Sequence, residues 1–92
     1  MEWDIVFSRQ TNKFLAQHHL SDEAVMEPIV RAIKKLDGEV VTFDLKRLTG
    51  TWTGYFRIRT SKYRIIFSIN FDTRVLFVEV FDSRDSSYNR HA

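Results

Sequence analysis

The sequence predicts an α+β fold: an N-terminal strand, two helices, then a mostly antiparallel strand meander, with the helices packed on one face of the sheet. Three observations carry this reading. Apolar residues alternate over the first eight positions. They then recur at helical spacing as far as Leu36 and return to a period of two from Glu39 onward. No linker, repeat or low-complexity stretch interrupts the chain, and 92 residues suffice for one domain, 1–92.

Trp3 to Ser8 reads as a strand, with Trp3, Ile5 and Phe7 alternating with Asp4 and Val6. Ser8 suits the N-cap of a first helix over Arg9–Leu20, anchored by Phe14, Leu15 and Leu20. Ser21 or Asp22 caps a second helix, whose apolar stripe is Val25, Ile29, Ala32, Ile33 and Leu36. Asp22 and Glu23 suit its positive end, and Lys34, Lys35 and then Gly38 are stop signals. Pro28 either kinks this helix or marks a later start. Val41, Phe43 and Leu45 form one face of the next strand, which Leu48-Thr49-Gly50 breaks. Tyr55–Arg59, Tyr63–Phe71 and Arg74–Phe81 are three further strands, joined by turns at Thr60-Ser61-Lys62 and Phe71-Asp72-Thr73. After Asp82 the chain turns polar and ends as a short helix or a loop.

Charge is unevenly spread. Residues 1–44 carry five Lys/Arg against eight Asp/Glu, and residues 45–92 carry nine against four. No acidic residue falls between Leu45 and Phe71, whereas Lys46, Arg47, Arg57, Arg59, Lys62 and Arg64 all do. A field of one sign favours an anionic partner. The absence of Cys excludes a disulfide framework and thiolate metal ligands, and fits a reducing cytosol. No apolar run reaches the ~18 residues of a membrane span. The acidic opening Met1-Glu2-Trp3-Asp4 leads straight into a strand, unlike a signal peptide, so a cytoplasmic location is expected.

Alternation places the chemistry. Arg57 and Arg59 project from the same face of one strand, away from Phe56 and Ile58. A turn at residues 60–62 brings Arg64 beside them. Like charges opposed in a sheet are unfavourable, so the cluster suits an anionic ligand. Phosphodiester is the natural one, because guanidinium meets phosphate oxygens bidentately. The plainer alternative is that Glu79 on the neighbouring strand neutralises one arginine and the others are solvated. Arg84 follows the last strand, and Tyr88 lies four residues on. Tyr88 either handles a proton or stacks on a base among these cations, or simply anchors the tail. His18 and His19 sit in the first helix, apart from the cluster; His91 is next to last. No His/Asp/Glu spacing suggests a metal site, and no phosphate-binding glycine loop or serine-nucleophile motif is present.

Three stretches, Leu45-Lys46-Arg47-Leu48-Thr49-Gly50, Gly54-Tyr55-Phe56-Arg57-Ile58-Arg59 and Tyr63-Arg64-Ile65-Ile66-Phe67, resemble the core of the RelE/ParE toxin superfamily. The opening Trp3-Asp4-Ile5-Val6-Phe7-Ser8 and the closing Arg84-Asp85-x-x-Tyr88 are also similar to that family, so the resemblance spans nearly the whole chain. It implies a toxin of a type II toxin–antitoxin pair that enters the ribosomal A site and cuts mRNA by 2′-OH attack on the adjacent phosphate, without a metal or other cofactor. Arg57 and Arg59 stand where the RelE type has two lysines. Arg64 matches the arginine on the scissile phosphate, Arg84 the arginine that stabilises charge or donates a proton, and Tyr88 the C-terminal aromatic. Lys46, Arg47 and Lys62 are expected to add RNA contacts. Arginine cannot serve as a base near neutrality, which moves proton handling to Tyr88, with Asp85 and His91 behind it. The superfamily also implies a rival, ParE-like inhibition of DNA gyrase, and the basic sheet alone fits a non-catalytic RNA-binding module. A toxin implies a small acidic antitoxin that covers the basic face, besides the ribosome and mRNA as partners; no membrane partner is expected.

Overall fold

Ile5 and Phe7 turn toward the core and Asp4 and Val6 away from it in the first strand, β1 (Asp4–Phe7), as strict alternation requires. The computed structural model describes residues 3–38 and 44–84. After β1 come α1 (Arg9–Gln17), α2 (Glu23–Leu36), β2 (Asp44–Arg47), a 3-10 turn at Gly50–Trp52, β3 (Tyr55–Arg59), β4 (Tyr63–Asn70) and β5 (Val75–Ser83). The strands form one sheet in the order β1-β5-β4-β3-β2. β2 through β5 pair antiparallel, and β1 lies parallel beside β5. The expected α+β arrangement is therefore observed. The two helices lie between β1 at one edge and β2 at the other, and the meander then returns until β5 lies parallel beside β1.

Ser8 caps α1, its hydroxyl accepting from the Thr11 N–H at 3.1 Å. The helix stops at Gln17, earlier than the expected Leu20. His19 adopts φ 54°, and the N–H groups of His19 and Leu20 reach back to the carbonyls of Ala16 and Leu15. This is a Schellman ending, with histidine at the left-handed position that glycine usually fills. α2 starts at Glu23, five residues ahead of Pro28, so the proline lies inside the helix and does not mark a later start. Asp22 holds the N-cap position without a side-chain bond; instead Ala24 N–H bonds the Ser21 carbonyl. Gly38 follows the helix at φ 91°, as the stop signal predicts.

Leu15 of α1 and Val25, Ile29, Ala32 and Ile33 of α2 pack on Phe56, Ile58, Ile65, Phe67, Leu76, Val78 and Phe81 of the sheet. Each large side chain buried here contributes about 1.5–3 kcal/mol. Phe14 adds edge contacts to Phe81 and Tyr63 from α1. Of the strand expected from Glu39, the structure has β2 at Asp44–Arg47, while Val41 and Phe43 lie outside the described residues. β5 begins at Val75, since Arg74 takes the left-handed turn conformation at φ 58°. It also continues past Phe81 to Ser83, and that extension builds the site.

Candidate phosphate-binding site

Helices cover one face of the sheet, and residues pointing the other way share the second face. On β3, Phe56 and Ile58 are buried in the core, which sends Arg57 and Arg59, both half-buried, to that second face. Register then decides their neighbours. Arg59 stands opposite Arg64 on β4, and Arg57 stands opposite Lys46 on β2. Lys46, Arg57, Arg59 and Arg64 therefore lie together, as the sequence predicts for the three arginines. Like charges directly opposed on neighbouring strands are unfavourable to the sheet.

A carboxylate that the sequence reading missed stands against this cluster. Arg64 is directly opposite Asp82 on β5, with Arg64 Nη2 donating to Asp82 Oδ2 at 3.3 Å. The Asp82 side chain is 2% exposed and that of Arg64 20%. The acid beside Arg64 is thus Asp82 rather than the Glu79 that the alternation suggests. The reason is a β-bulge. Ile66 pairs with Val80 and Phe67 with Val78, which leaves Glu79 as an extra residue on β5. Leu76 and Val78 face the core, so unbroken alternation would turn Val80 and Asp82 inward. The bulge shifts the parity by one: Phe81 enters the core and Asp82 reaches the arginines.

α1 holds the bulge in place. Ser8 Oγ donates to the Glu79 carbonyl at 2.7 Å while also capping the helix. Thr11 Oγ1 donates to the Val78 carbonyl at 3.3 Å. β1 pairs only with Val75–Val78, so the rest of β5 would be a bare edge. Gln10 closes it: its Nε2 donates to the Phe81 carbonyl at 3.0 Å, and its Oε1 accepts from the Phe81 N–H at 2.9 Å. The side-chain amide thus bonds β5 as a neighbouring strand's peptide would.

The other expected site residues divide. Arg84 is fastened to the β3–β4 turn: its N–H bonds the Lys62 carbonyl at 3.0 Å and its Nη1 the Thr60 carbonyl at 3.3 Å. Arg84 and Lys62 therefore stand at the same end of the sheet as Arg59 and Arg64. Arg47 does not join them. It follows Lys46 and pairs with Phe56, so it emerges on the helix side with its guanidinium 5.4 Å from the Phe56 ring centre. There it borders an apolar depression of about 440 Å³, with Leu48, Phe56, Ile69 and Phe71. Tyr88, Asp85 and His91 lie outside the described residues. His18 is exposed and stacks on Phe14 at 4.0 Å, on the helix side. Among the described residues, no three His, Asp or Glu side chains are grouped to hold a metal ion. No helix among them is long and apolar enough to cross a membrane.

No family model matches the chain, and no curated protein does. Solved structures do. A chain of the RelB–RelE antitoxin–toxin complex from Methanococcus jannaschii superposes with a TM-score of 0.60 at 21% identity, over 95% of this chain and 99% of that one. A YafQ mutant from E. coli gives 0.60 at 19% identity, over 94% and 98%. A chain of the YoeB–YefM complex from Staphylococcus aureus gives 0.60 at 15% identity, over 87% and 94%. The likeness covers almost the whole of each chain, and its meaning is architectural: this protein has the fold of the RelE, YoeB and YafQ toxins.

Proposed function

We propose that this protein is the toxin of a type II toxin–antitoxin pair and a ribosome-dependent, metal-independent endoribonuclease that cuts mRNA in the ribosomal A site. The observation that carries the proposal is the grouping of Lys46, Arg57, Arg59 and Arg64 on the face of a RelE-like sheet that points away from the helices. Guanidinium groups fixed on strands are suited to a phosphodiester whose charge increases during reaction.

In the reaction, the ribose 2′-oxygen attacks the adjacent phosphorus and the bond to the 5′-oxygen breaks. The products are a 2′,3′-cyclic phosphate and a 5′-hydroxyl. The 2′-OH proton passes to a base, and the leaving oxygen gains a proton from an acid. Arg57, Arg59 and Arg64 stabilise the pentavalent phosphorane, and Arg84 does so from the strand end. None of them gives up its proton near neutrality, so proton transfer is assigned to Tyr88. Lys46 and Lys62 extend the RNA contact beside Arg57 and at the turn; an RNA contact by Arg47 would lie at the sheet's other side. The partner is a small acidic antitoxin that covers the basic face; an antitoxin partner is supported by the chains of this fold that occur in the RelB–RelE and YoeB–YefM complexes. The site of action is the cytoplasm, where ribosomes and mRNA meet.

The test is cleavage of ribosome-programmed mRNA by the wild type, Arg64→Ala and Tyr88→Phe, with a ribosome-free control. Folding of Arg64→Ala is checked by circular dichroism, because the substitution removes the cation beside a buried carboxylate. A-site cuts that are lost in Arg64→Ala are the expected result. A folded wild type that leaves mRNA intact on ribosomes would refute the proposal, and gyrase-dependent DNA cleavage would then identify the ParE-like alternative. Salt-sensitive RNA binding without either activity would identify a binding module.

A further inference from the structure

A carboxylate is an unfavourable neighbour for a phosphate site, yet Asp82 stands opposite Arg64 with its side chain 2% exposed. Such burial keeps the acid from touching RNA, so it is not the general base. What it does touch is the guanidinium, through Arg64 Nη2 at 3.3 Å. We propose that Asp82 is a positioning residue for the nuclease reaction: it locks the Arg64 guanidinium against the sheet, leaving other N–H groups of the fork for the scissile phosphate. The inference rests on the nuclease reading above.

Four features support it. Arginine has five donors in a rigid fork; the Asp82 contact engages Nη2 and Nε is buried, which leaves Nη1 for an anion. A long flexible side chain gains precision only when a fixed partner orients it, and Asp82 is fixed by its register with Arg64 and by the Gln10 bonds to the residue before it. The acid reaches this face only because Glu79 bulges out of β5. That bulge is tied to α1 by Ser8, and the following residue pair by Gln10, which brackets Phe81 next to Asp82. The arrangement therefore spends several hydrogen bonds on keeping a negative charge where it weakens phosphate attraction. Orientation of Arg64 is the return that the geometry provides.

Positioning makes a distinctive kinetic demand. Removing the negative charge strengthens ground-state attraction for RNA, whereas loosening Arg64 weakens its aim at the transition state. Asp82→Asn, which keeps the shape, is expected to lower kcat about 10- to 100-fold, the usual cost of misplacing a catalytic group by an ångström, with KM unchanged or lower. In an Arg64→Lys background, where the fork is already gone, Asp82→Asn is expected to change kcat less than about twofold. An equal fall in both backgrounds, or no fall in either, would overturn the proposal.

A second measurement is independent of activity. In the wild type, the Arg64 Nε–Hε order parameter from NMR relaxation is expected to approach backbone values and to drop in Asp82→Asn. Arg31, paired with Glu27 on the exposed side of α2, provides the mobile reference. An Arg64 side chain as mobile as Arg31 in the wild type would overturn the proposal even if Asp82→Asn failed to fold. A wild type that leaves ribosome-bound mRNA intact would instead overturn the nuclease reading, and with it any catalytic consequence of a rigid Arg64. Wild-type cleavage with Asp82→Asn kinetics unchanged would overturn only the role of Asp82.

Discussion

Ser8 joins two functions in one hydroxyl, and substitutions can separate them. Its oxygen accepts from the Thr11 N–H at 3.1 Å as a helix cap, and its hydrogen goes to the Glu79 carbonyl at 2.7 Å. Losing a serine cap costs about 1 kcal/mol. A part-buried carbonyl left without its donor costs roughly another 1–3 kcal/mol. Ser8→Ala is therefore expected to lower stability by about 2–4 kcal/mol, read from urea unfolding at constant m-value. Ser8→Thr keeps both functions and is expected to lose less than about 1 kcal/mol, the difference between serine and threonine caps being small. Ser8→Asp decides the matter. Aspartate caps as well as serine, but an ionised carboxylate has no hydrogen for the Glu79 carbonyl and sets oxygen against oxygen. It is expected to remain at least about 1 kcal/mol below the wild type. An aspartate variant as stable as the wild type would mean that capping is the whole contribution of Ser8, and the argument that it anchors the bulge would fall.

Three further measurements probe separate parts of the structure. Gln10→Ala removes two bonds to the Phe81 backbone and is expected to cost about 1–2 kcal/mol, since water can reach part of that edge; faster hydrogen exchange at the Phe81 amide would accompany it. His19→Gly is expected to raise stability by about 0.5–1 kcal/mol, because φ 54° burdens histidine but not glycine; a fall in the unfolding midpoint would contradict the Schellman assignment. If the exposed Lys46 meets one phosphate, Lys46→Ala should flatten the slope of log K against log salt for single-stranded RNA by about 0.7, and an unchanged slope would remove Lys46 from the interface.

Much of the fold is legible because its signals are local. The strand of residues 4–7, the Ser8 cap, the α2 stripe ending at Gly38 and the three meander strands each follow from period and punctuation. The misjudged boundaries are places where backbone geometry is carried by an unusual residue. Histidine at the left-handed end of α1 and arginine at the left-handed position before β5 carry no composition signal, as glycine would. Pro28 is compatible with α2 because the helix gains its stability from Val25, Ile29, Ala32 and Ile33 packed on the sheet, not from an unbroken hydrogen-bond ladder. The pairing of β1 with β5 is not written in either strand; it arises because the meander starts at the far edge with β2 and returns until its last strand meets β1.

The site divides along the same line. Arg57, Arg59 and Arg64 could be grouped from alternation and a three-residue turn alone, since both are short-range rules. Arg47 could not be separated from Lys46 without knowing that β2 continues through both, which sends neighbours to opposite faces. Asp82 was hidden by an inserted residue. Simple alternation from Leu76 and Val78 predicts a core-facing position there, a position no unpaired carboxylate would occupy, and the contradiction itself is the available signal of a bulge.

That single parity shift determines the electrostatics of the face. Without it, Phe81 would lie among the arginines and Asp82 would enter the layer of Leu15, Phe14 and Ile65. Deleting Glu79 removes the extra residue and leaves Val78 inward, Val80 outward, Phe81 inward and Asp82 outward in plain alternation, so every remaining side chain keeps its face. What the deletion loses is the carbonyl that Ser8 bonds, at a cost of about 1–3 kcal/mol. Against a domain stability of about 5–15 kcal/mol, the deletion variant is expected to keep cooperative unfolding in calorimetry. An alanine inserted after Val80 imposes both errors together, a large apolar ring turned outward and a carboxylate driven into an apolar core, and is expected to abolish it. An insertion variant that folded with wild-type stability would show that β5 can re-register without regard to which face Asp82 occupies. Retention under deletion and loss under insertion would locate the requirement in the parity of β5, and not in the charge of Glu79.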